Sequence, residues 1–402
     1  MRKYLGMLLC VLMSVQSAVA QDTEFSSCIS ELKHRASVEK LPSRIVDEVL
    51  ANLQWQPRVI ELDRSQPEFS QTFASYLNRR VTPQRIARGQ ELLGKHAQFL
   101  SDLGKKYGVP GRYLVALWGL ETNFGSYLGR MPILDCLATL ACDQRRGEFF
   151  TNELMQALIL LDRESLSPGD MRGSWAGAMG HTQFMPSAYN RYAIDGDGDR
   201  RVNLWRSKQD ALASGANYLH ALGWQEEQRW GREVLLPKNF PYSETGINNR
   251  QPLRYWRDLG VRPATGAALE GSEIEASVLV PAGHTGPAFL VNSNFDVILR
   301  WNRSEYYALA VGLLADRLIG AGPLVRPPST TEAALSRSII EQLQRQLNKL
   351  GYDAGKIDGV MGSSTQDALQ RFQISNGIIA DGYPDRKTLC ALSITSGPVS
   401  CL

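Results

Sequence analysis

The sequence lacks the short motifs that mark several large enzyme classes. No His-Glu-x-x-His, Cys-x-x-Cys, Gly-x-Ser-x-Gly or phosphate-binding glycine loop occurs in its 402 residues, so the chemistry that these motifs serve is not indicated. Histidine is scarce as well: the five histidines are scattered, and each is more typical of a structural side chain than of a metal ligand. Only His181 lies close in sequence to a segment that the patterns below single out as functional.

The chain has little net charge and no long run of basic residues. Its formal charge is +3 from 44 basic and 41 acidic residues, which argues against nucleic acid as a partner. After the N-terminus no apolar stretch is long enough to span a bilayer, so stable membrane insertion is not predicted. The hydrophobic content of 43% is ordinary for a soluble globular protein, and the length allows two or three domains.

The first 20 residues have the pattern of a secretory signal peptide. Arg2 and Lys3 precede the apolar run Leu5–Val15, and the small residues Ala18–Ala20 follow. Cys10 lies inside the apolar run rather than at its small-residue end, which makes a lipoprotein anchor the less favoured alternative. We therefore predict that this segment is removed and that the mature protein is exported to an oxidising compartment.

Five cysteines remain after that cleavage, so one of them is unpaired or pairs with another molecule. Cys390 and Cys401 close a short C-terminal loop and form one plausible pair. Cys28 can staple the N-terminal helix to the rest of the chain by pairing with Cys142 or with Cys136. A Cys136 left without a partner would be a small buried apolar side chain.

One apolar segment, Tyr113–Gly125, carries a single carboxylate, Glu121. Pro110 suits a helix start, Leu117 and Trp118 recur at helical spacing, and the closing glycine can end the helix. Because Glu121 falls on or beside the apolar face, its pKa is expected to rise, which suits a general acid near neutral pH. The alternative is a structural Glu at the polar edge of a core helix.

A glycine- and aromatic-rich segment follows at residues 173–192. Gly173, Gly177 and Gly180 punctuate it and stand close to aromatic residues such as Phe184. Clustered glycines let a backbone approach a ligand closely while aromatic rings stack on that ligand. The segment therefore predicts a ligand-binding loop.

Three aspartates, Asp195, Asp197 and Asp199, alternate with glycines directly after this segment. Their carboxylates can converge on a hard cation such as Ca²⁺. The EF-hand pattern is only partly met, because arginines stand at the sixth and twelfth positions, where Gly and Glu are expected. Asp210 can supply a late carboxylate if the loop is longer than usual. The alternative is an Asp/Gly-rich turn that binds no metal.

Helical patterns dominate residues 25–107, and Thr82–Pro83 is predicted to open one long helix that runs to about Tyr107. Asp63–Pro67 is predicted to be a turn. Residues 264–296 are richer in Gly, Thr and Val and predict a small β element.

The C-terminal part contains an internal repeat. Residues 326–335 have the composition of a linker. After it, Asp358-Gly359 and Asp381-Gly382 each open a turn-then-helix unit of matching spacing. This repeat indicates a small three-helix module.

Four motifs follow one another along the chain: Gly119–Gly125, Gly173–Gly180, Gln183–Pro186 and Asp195–Trp205. Together they resemble the lytic murein transglycosylase B family, over nearly all of residues 25–325. The C-terminal module is similar to the peptidoglycan-binding domain type 1 through Leu350–Tyr352, Ile357–Gly362, Phe372-Gln373 and Asp381-Gly382.

This resemblance implies a mainly α (α+β) fold. A lysozyme-like helical core would carry an added helical region and a small β element, and a small three-helix domain would follow at the C-terminus. The implied domains are a signal peptide at 1–20, a catalytic domain at 21–325, a linker at 326–335 and a peptidoglycan-binding domain at 336–402.

The same resemblance implies a periplasmic lytic transglycosylase that cleaves the β-1,4 bond between N-acetylmuramic acid and N-acetylglucosamine without water. Glu121 matches the single catalytic acid of the family, and no cofactor is implied for the chemistry. The implied partners are peptidoglycan glycan strands, with cell-wall synthesis or division proteins as further candidates. The implied substrate-binding residues are Arg145, Arg146, Ser174, Gln183, Phe184, Tyr218, Trp301, Asn302 and Tyr307. The implied structural Ca²⁺ site consists of Asp195, Asp197, Asp199, Arg201 and Asp210.

Three alternatives stay open at this point. A lysozyme-like hydrolase would use the same acid with an activated water, and a second carboxylate would lie about 5–9.5 Å away. Glu148 and Glu153 are candidates for that carboxylate, but neither has an apolar setting in the sequence. A catalytically inactive wall-binding protein and a calcium-dependent adhesion module are the other two alternatives.

Overall fold

The computed structural model describes residues 23–65, 71–266, 268–269 and 273–394. The predicted signal peptide and Cys401, the predicted partner of Cys390, lie outside the described residues. The chain divides into two compact units. The first contains the residues up to Ser65 and Glu121–Tyr218, and the second contains Gln66–Leu120 and the residues from Leu219 onward.

Helices are the main regular secondary structure of both units. In chain order they are α1 at residues 23–38, α2 Pro57–Ser65, α3 Phe73–Arg80, α4 Pro83–Lys95, α5 Ala97–Tyr107, α6 Gly111–Thr122, α7 Ile133–Ala141, α8 Gly147–Arg163, α9 Pro186–Tyr192, α10 Lys208–Ala221, α11 Leu253–Asp258, α12 Ser293–Trp301, α13 Glu305–Leu318, α14 Arg337–Lys349, α15 Ser363–Ser375 and α16 Arg386–Ala391. The strands are β1 Met131–Pro132, β2 Arg172–Gly173, β3 Gly231–Leu235, β4 Gln251–Pro252, β5 Arg262–Pro263, β6 Glu275–Leu279 and β7 Ala288–Val291. Within the described ranges, no helix combines the length and apolarity needed to cross a membrane.

The core of the first unit lies between α7, α8 and α9. Leu154, Leu158 and Leu161 recur every three or four residues along α8 and are completely buried. Ile133 and Leu137 of α7 are equally buried. Because each such side chain contributes about 1.5–3 kcal/mol when removed from water, this apolar face fixes α8 against its neighbours.

A disulfide closes the first unit. Cys28 of α1 is bonded to Cys142 at the end of α7, with a Cα–Cα distance of 5.8 Å. One of the two partners predicted for Cys28 is thus confirmed. Cys136 is a free cysteine that is fully buried, and burial raises the pKa of its thiol to about 12. It is therefore the inert apolar side chain expected of the cysteine left over.

The second unit contains a five-stranded sheet in the order β4-β6-β7-β3-β5, with every neighbouring pair antiparallel. In its centre Val278 of β6 pairs with Leu290 of β7, and both side chains are buried. Trp256 of α11 is buried in the same cluster. The small β element predicted within residues 264–296 is confirmed, and strands from residues 231–263 extend it.

The single helix predicted from Thr82–Pro83 to about Tyr107 is wrong. Two helices, α4 and α5, meet at His96, which leaves helical geometry with φ −106° and ψ 18°. Leu92 and Leu100 are buried on the two sides of the break. The helical spacing of apolar residues therefore continues past His96, where the helix is interrupted. The sequence pattern does not reveal this interruption. The predicted N-cap at Thr82 is present, because its hydroxyl accepts from the Arg85 N–H at 3.1 Å.

The C-terminal module consists of α14, α15 and α16, so the predicted three-helix architecture is confirmed. Leu343 and Leu347 of α14, Leu369 and Phe372 of α15, and Leu389 of α16 form one buried cluster. The helices thus meet through apolar residues that recur at helical spacing, as the hydrophobic effect requires for so small a core.

The two turn-then-helix units of this module have matching hydrogen-bond networks. In the first, the amide nitrogen of Gln344 donates to Asp358 Oδ1 at 2.9 Å and to Thr365 Oγ1 at 3.2 Å. In the second, the amide nitrogen of Gln373 donates to Asp381 Oδ1 at 3.2 Å and to the corresponding threonine at 3.1 Å. Both glutamines are buried. The sequence repeat therefore corresponds to two equivalent hydrogen-bond networks, each centred on a buried glutamine side chain.

Candidate active site

Glu121 occupies the last turn of α6. The eight residues before it, Tyr113–Leu120, are all buried, whereas Glu121 itself is half-buried. Gly125 follows with φ +80°, a left-handed conformation that glycine adopts without a steric penalty. The predicted helix and its end are thus confirmed. The rise expected in the pKa of Glu121 stays a prediction.

The turn after Glu121 is tied to the glycine-rich segment. The Thr122 hydroxyl donates to the His181 carbonyl oxygen at 2.8 Å, and it accepts from the Gly125 N–H at 3.0 Å. The His181 ring lies directly against Gly125, where any Cβ would overlap its Cε1 and Nδ1 atoms. Gly125 is therefore required for this close approach as well as for ending the helix.

The glycines of residues 173–186 make their closest contacts with the protein itself. A Cβ on Gly180 would lie 2.5 Å from the Leu204 carbonyl oxygen, and a Cβ on Gly177 would lie 2.5 Å from Leu137 Cδ2. Met179 and Phe184 exchange two backbone hydrogen bonds of 2.8 and 2.9 Å, which folds the segment into a tight loop. These glycines therefore allow the loop to pack closely against Leu137 and Leu204. The approach of the loop to a ligand stays a prediction.

Ser174 and Gln183 are held by local hydrogen bonds. The Ser174 hydroxyl accepts from the Ala178 N–H at 3.0 Å. Gln183 adopts φ +50°, and its amide nitrogen donates to the carbonyl oxygens of Gly180 at 2.9 Å and Leu128 at 3.2 Å. Both side chains are half-buried, so the loop orients them while leaving part of each accessible.

Phe184 and Tyr218 form an aromatic group. Phe184 is buried, and its ring packs edge-on against Tyr218 with a centroid distance of 5.4 Å. Tyr218 in turn stacks on Tyr192 at 4.5 Å, and burial raises the pKa of its hydroxyl. Glu121, Ser174, Gln183, Phe184 and Tyr218 all belong to the first unit; that they form one substrate site stays a prediction.

Arg145 and Arg146 share one buried carboxylate. Arg145 donates to both oxygens of Asp63, at 2.8 and 2.6 Å, and Arg146 also donates to Asp63. Burial alone would raise the pKa of Asp63, but the hydrogen bonds and charges of the two arginines hold it below its ordinary value. Asp63 lies in α2, so the turn predicted there is wrong at this residue. The two guanidinium groups, each 39% exposed at the side chain, are thereby fixed in place.

The remaining predicted substrate residues belong to the second unit. Trp301 ends α12 and is half-buried, Asn302 follows as an exposed cap, and Tyr307 is buried in the first turns of α13. All three lie at the α12–α13 connection. Their role in substrate binding stays a prediction.

Three carboxylates of the Asp-rich loop converge. Asp195, Asp197 and Asp210 each offer an oxygen, and these oxygens lie within 4.8 Å of one another. Asp210 is buried, accepts from two backbone N–H groups at 2.8 and 2.7 Å, and has a pKa that burial raises. Asp199 lies outside this group of carboxylates, and its Oδ1 accepts from the Arg201 N–H at 2.8 Å. The predicted part of Arg201 in a metal site stays a prediction. The cluster fits a hard cation, because a buried carboxylate beside two others is favourable only when their charge is balanced.

A family model for the transglycosylase SLT domain matches residues 24–316. The chain belongs to this transglycosylase family. A model for a putative peptidoglycan binding domain matches residues 336–392 of the transglycosylase. The two matches confirm the families predicted from the motifs.

The chain is similar to several characterised proteins. Membrane-bound lytic murein transglycosylase B of Escherichia coli (strain K12) is 35% identical over 240 residues, which are 59% of this chain and 64% of that protein. The matched stretch thus spans less than two thirds of that relative. SltB3 of Pseudomonas aeruginosa, solved in complex with NAG-NAM-pentapeptide, is 43% identical with a TM-score of 0.86 over 92% of this chain and 99% of the other. Slt35 of Escherichia coli, solved in complex with calcium, is 29% identical with a TM-score of 0.63 over 74% and 92%. The likeness to these structures confirms the predicted mainly helical fold.

The burial of Glu153 was missed in the sequence. This residue is only 5% exposed, and its two carboxylate oxygens accept from the Ser187 N–H at 3.0 Å and the Ser187 hydroxyl at 2.7 Å. Its burial follows from the packing of α8 against α9, whereas the contacts of its carboxylate are polar. Glu148 is exposed, as its neighbours indicated. Glu153 therefore caps the N-terminus of α9.

Two further residues of the site had little signal in the sequence. Asp63 binds the arginine pair across 82 residues of chain, and no local pattern reveals that contact. His181 was the histidine nearest to a functional segment, and the structure places it beside the turn of Glu121. Its proximity to the glycine-rich motif was the one available signal.

Proposed function

We propose that the protein is a periplasmic lytic transglycosylase that cleaves the β-1,4 bond between N-acetylmuramic acid and N-acetylglucosamine in peptidoglycan and leaves 1,6-anhydro ends. The observation that carries the proposal is Glu121, held at the end of a buried helix by the Thr122–His181 hydrogen bond in a chain of the transglycosylase family. The SltB3 structures, which contain NAG-NAM-pentapeptide in one case and NAG-anhNAM-pentapeptide in another, support this substrate and product.

The chemistry needs one carboxyl group. Protonated Glu121 gives its proton to the glycosidic oxygen as the bond to C1 of the muramic residue breaks, which releases the next sugar with a free 4-hydroxyl. The Glu121 carboxylate then takes the proton of the C6 hydroxyl, whose oxygen bonds to C1 and closes the 1,6-anhydro ring. The enzyme ends in its starting protonation state, and no water is consumed.

The engagement of Glu153 supports this scheme over hydrolysis. A two-carboxylate glycosidase needs a second group that is free to activate water or to bond the sugar. Both oxygens of Glu153 accept from Ser187, so it is already committed to the helix cap. The fixed guanidinium groups of Arg145 and Arg146 and the Phe184–Tyr218 pair would hold the glycan.

Calcium would have a structural role. Asp195, Asp197 and Asp210 would hold the ion, which would balance their charge and stabilise the loop after the glycine-rich segment. The solved complex of Slt35 with calcium supports this assignment. We expect saturating Ca²⁺ to raise the free energy of unfolding by about 2–3 kcal/mol at a hundredfold excess over its Kd, with no such gain in Asp197→Asn. Equal gains in both proteins would refute the site.

The C-terminal module would bind the wall. By holding the enzyme on its polymer, it would raise the effective concentration of glycan at the catalytic unit. Its match to a putative peptidoglycan binding domain supports this role. Association with cell-wall synthesis or division proteins stays a prediction.

Mass spectrometry of muropeptides released from purified sacculi tests the proposal. Wild type is expected to release anhydro-ended products, Glu121→Gln none, and the exposed-carboxylate control Glu148→Gln the wild-type pattern. Free reducing ends would instead establish a lysozyme-like hydrolase. Undiminished digestion by Glu121→Gln would overturn the assignment of the acid.

A further inference from the structure

His181 is a buried histidine that the proposed chemistry does not use. It is 5% exposed and lies within the tight loop of residues 173–186. Its backbone N–H donates to the Leu204 carbonyl oxygen at 2.8 Å, and its carbonyl oxygen accepts from the Thr122 hydroxyl at 2.8 Å. One residue thus links the segment after the Asp-rich loop to the residue that directly follows Glu121.

The His181 ring completes this link on the other side of the turn. It lies against the α-carbon of Gly125 so closely that no side chain fits between them. The Gly125 N–H donates to the same Thr122 hydroxyl at 3.0 Å. The turn from Thr122 to Gly125 is therefore held at one end by a hydrogen bond to the His181 backbone and at the other by contact with its ring.

The protonation state of the ring indicates a structural role rather than a role in proton transfer. Burial, together with the charge of Lys208, lowers the pKa of His181 to about 4. The imidazole is therefore neutral at neutral pH. A neutral ring adds no positive charge at the turn that follows the acid, and so it does not favour the ionised form of a carboxyl group there.

The segment that contains Leu204 supports His181 from another side. Leu204 packs directly on Gly180, the residue before His181. The Asn203 N–H donates to Asp210 Oδ2 at 2.7 Å, which ties this support to the carboxylate cluster. A continuous set of hydrogen bonds and close contacts therefore runs from Asp210 to Thr122.

We propose that His181 is a positioning residue for Glu121: its ring fixes the turn that follows the acid, and its peptide group anchors that turn to the segment after the Asp-rich loop. The inference rests on the proposed role of Glu121 as the acid. A displaced acid weakens proton transfer in the transition state more than it weakens substrate binding, and a misplacement of about 1 Å can cost about 10²-fold in rate. The structural effect should therefore appear in kcat and leave KM nearly unchanged.

The test compares steady-state kinetics of three variants on a defined soluble glycan strand. His181→Ala removes the ring, His181→Phe keeps a planar uncharged ring, and Thr122→Val removes the hydroxyl at nearly constant volume. We expect His181→Ala and Thr122→Val each to lower kcat by about 30- to 100-fold with KM within about twofold, and His181→Phe to recover most of the loss. The double variant His181→Ala/Thr122→Val should lose little more than either single variant, because both act on the same turn.

Several outcomes would overturn the inference. A rise in KM with unchanged kcat would make His181 a substrate-binding residue. Equal losses of kcat in His181→Ala and His181→Phe would show that a planar ring at this position does not restore activity, which would exclude the proposed role of the ring. Additive losses of kcat in the double variant would show that the ring and the Thr122 hydroxyl act independently. Should His181→Ala fail to fold, the volume-conserving variants decide the matter by the same kcat and KM criteria. Wild-type activity in His181→Ala would refute positioning alone, whereas absence of anhydro products from wild type would refute the proposed function.

Discussion

The turn that follows Glu121 and the C-terminal module differ in the sequence separation of the contacts that stabilise them. The hydrogen bond that holds the turn joins Thr122 to His181 across 59 residues. In the module, Gln344 reaches Asp358 across 14 residues and Thr365 across 21. The turn depends on two segments that are distant in sequence and meet only in the folded unit. The module depends on contacts within two similar turn-then-helix units, each formed by residues close in sequence. We therefore expect substitutions at the turn to lower glycan cleavage and substitutions in the module to weaken wall binding.

The largest effect is expected from the acid itself. Glu121→Gln removes the proton that the leaving oxygen needs, and cleavage should fall by about 10²- to 10⁴-fold. Wall binding should not change, because the module contributes its own core. Turnover of soluble glycan and cosedimentation with purified sacculi measure the two properties. Loss of both glycan turnover and binding to sacculi would contradict the proposal that the two regions act independently.

The next largest effect concerns the glycine of the turn. Gly125→Ala places a Cβ inside the His181 ring at a positive φ, so the variant should lose about 2–3 kcal/mol of folding free energy and most of its activity. Gly94→Ala is the matched control, because nothing lies within 4 Å of a Cβ there. In a helix that change is expected to be neutral or to stabilise by up to about 1 kcal/mol. Urea unfolding of both variants measures the difference, and equal stabilities would contradict the close contact.

Acid should weaken the first unit through His181. Its pKa is about 4 in the folded protein and about 6.5 when unfolded, so the unfolded chain binds more protons between these values. The stabilisation is fully present above about pH 6.5 and is lost as the pH falls to about 4, at an upper limit of about 3 kcal/mol. Urea unfolding at pH 7 and pH 4.5 should show a smaller acid loss for His181→Phe than for wild type. Identical pH dependence in the two proteins would show that the ring is not buried in its neutral form.

A smaller effect is expected from the polar centre of the module. Gln344→Ala leaves the Gly359 N–H without its acceptor, and such a buried unsatisfied group costs about 1–3 kcal/mol. Binding to sacculi should weaken while kcat on soluble glycan stays near the wild-type value. Arg345→Ala is the control, because its salt bridge is exposed and contributes about 0–1 kcal/mol. A loss of kcat as large as the loss of wall binding would contradict the comparison.

The sequence by itself determined the features that depend on neighbouring residues. Apolar spacing predicted the helix that ends after Glu121, and glycine at position 125 predicted where it stops. The repeated Asp-Gly turns, Asp358-Gly359 and Asp381-Gly382, predicted a three-helix module. Such features follow from backbone propensity and helical period, which act within a few residues, and ordered motifs were sufficient to identify the family.

Only the tertiary structure decided which distant residues meet. It selected Cys142 rather than Cys136 as the partner of Cys28 and gave the arginine pair its carboxylate, Asp63. It buried Glu153 against a helix that begins 33 residues later. These choices depend on how helices pack, and packing is governed by the complementary shapes of surfaces far apart in sequence. No local pattern encodes them, because the same apolar period is compatible with many different neighbours.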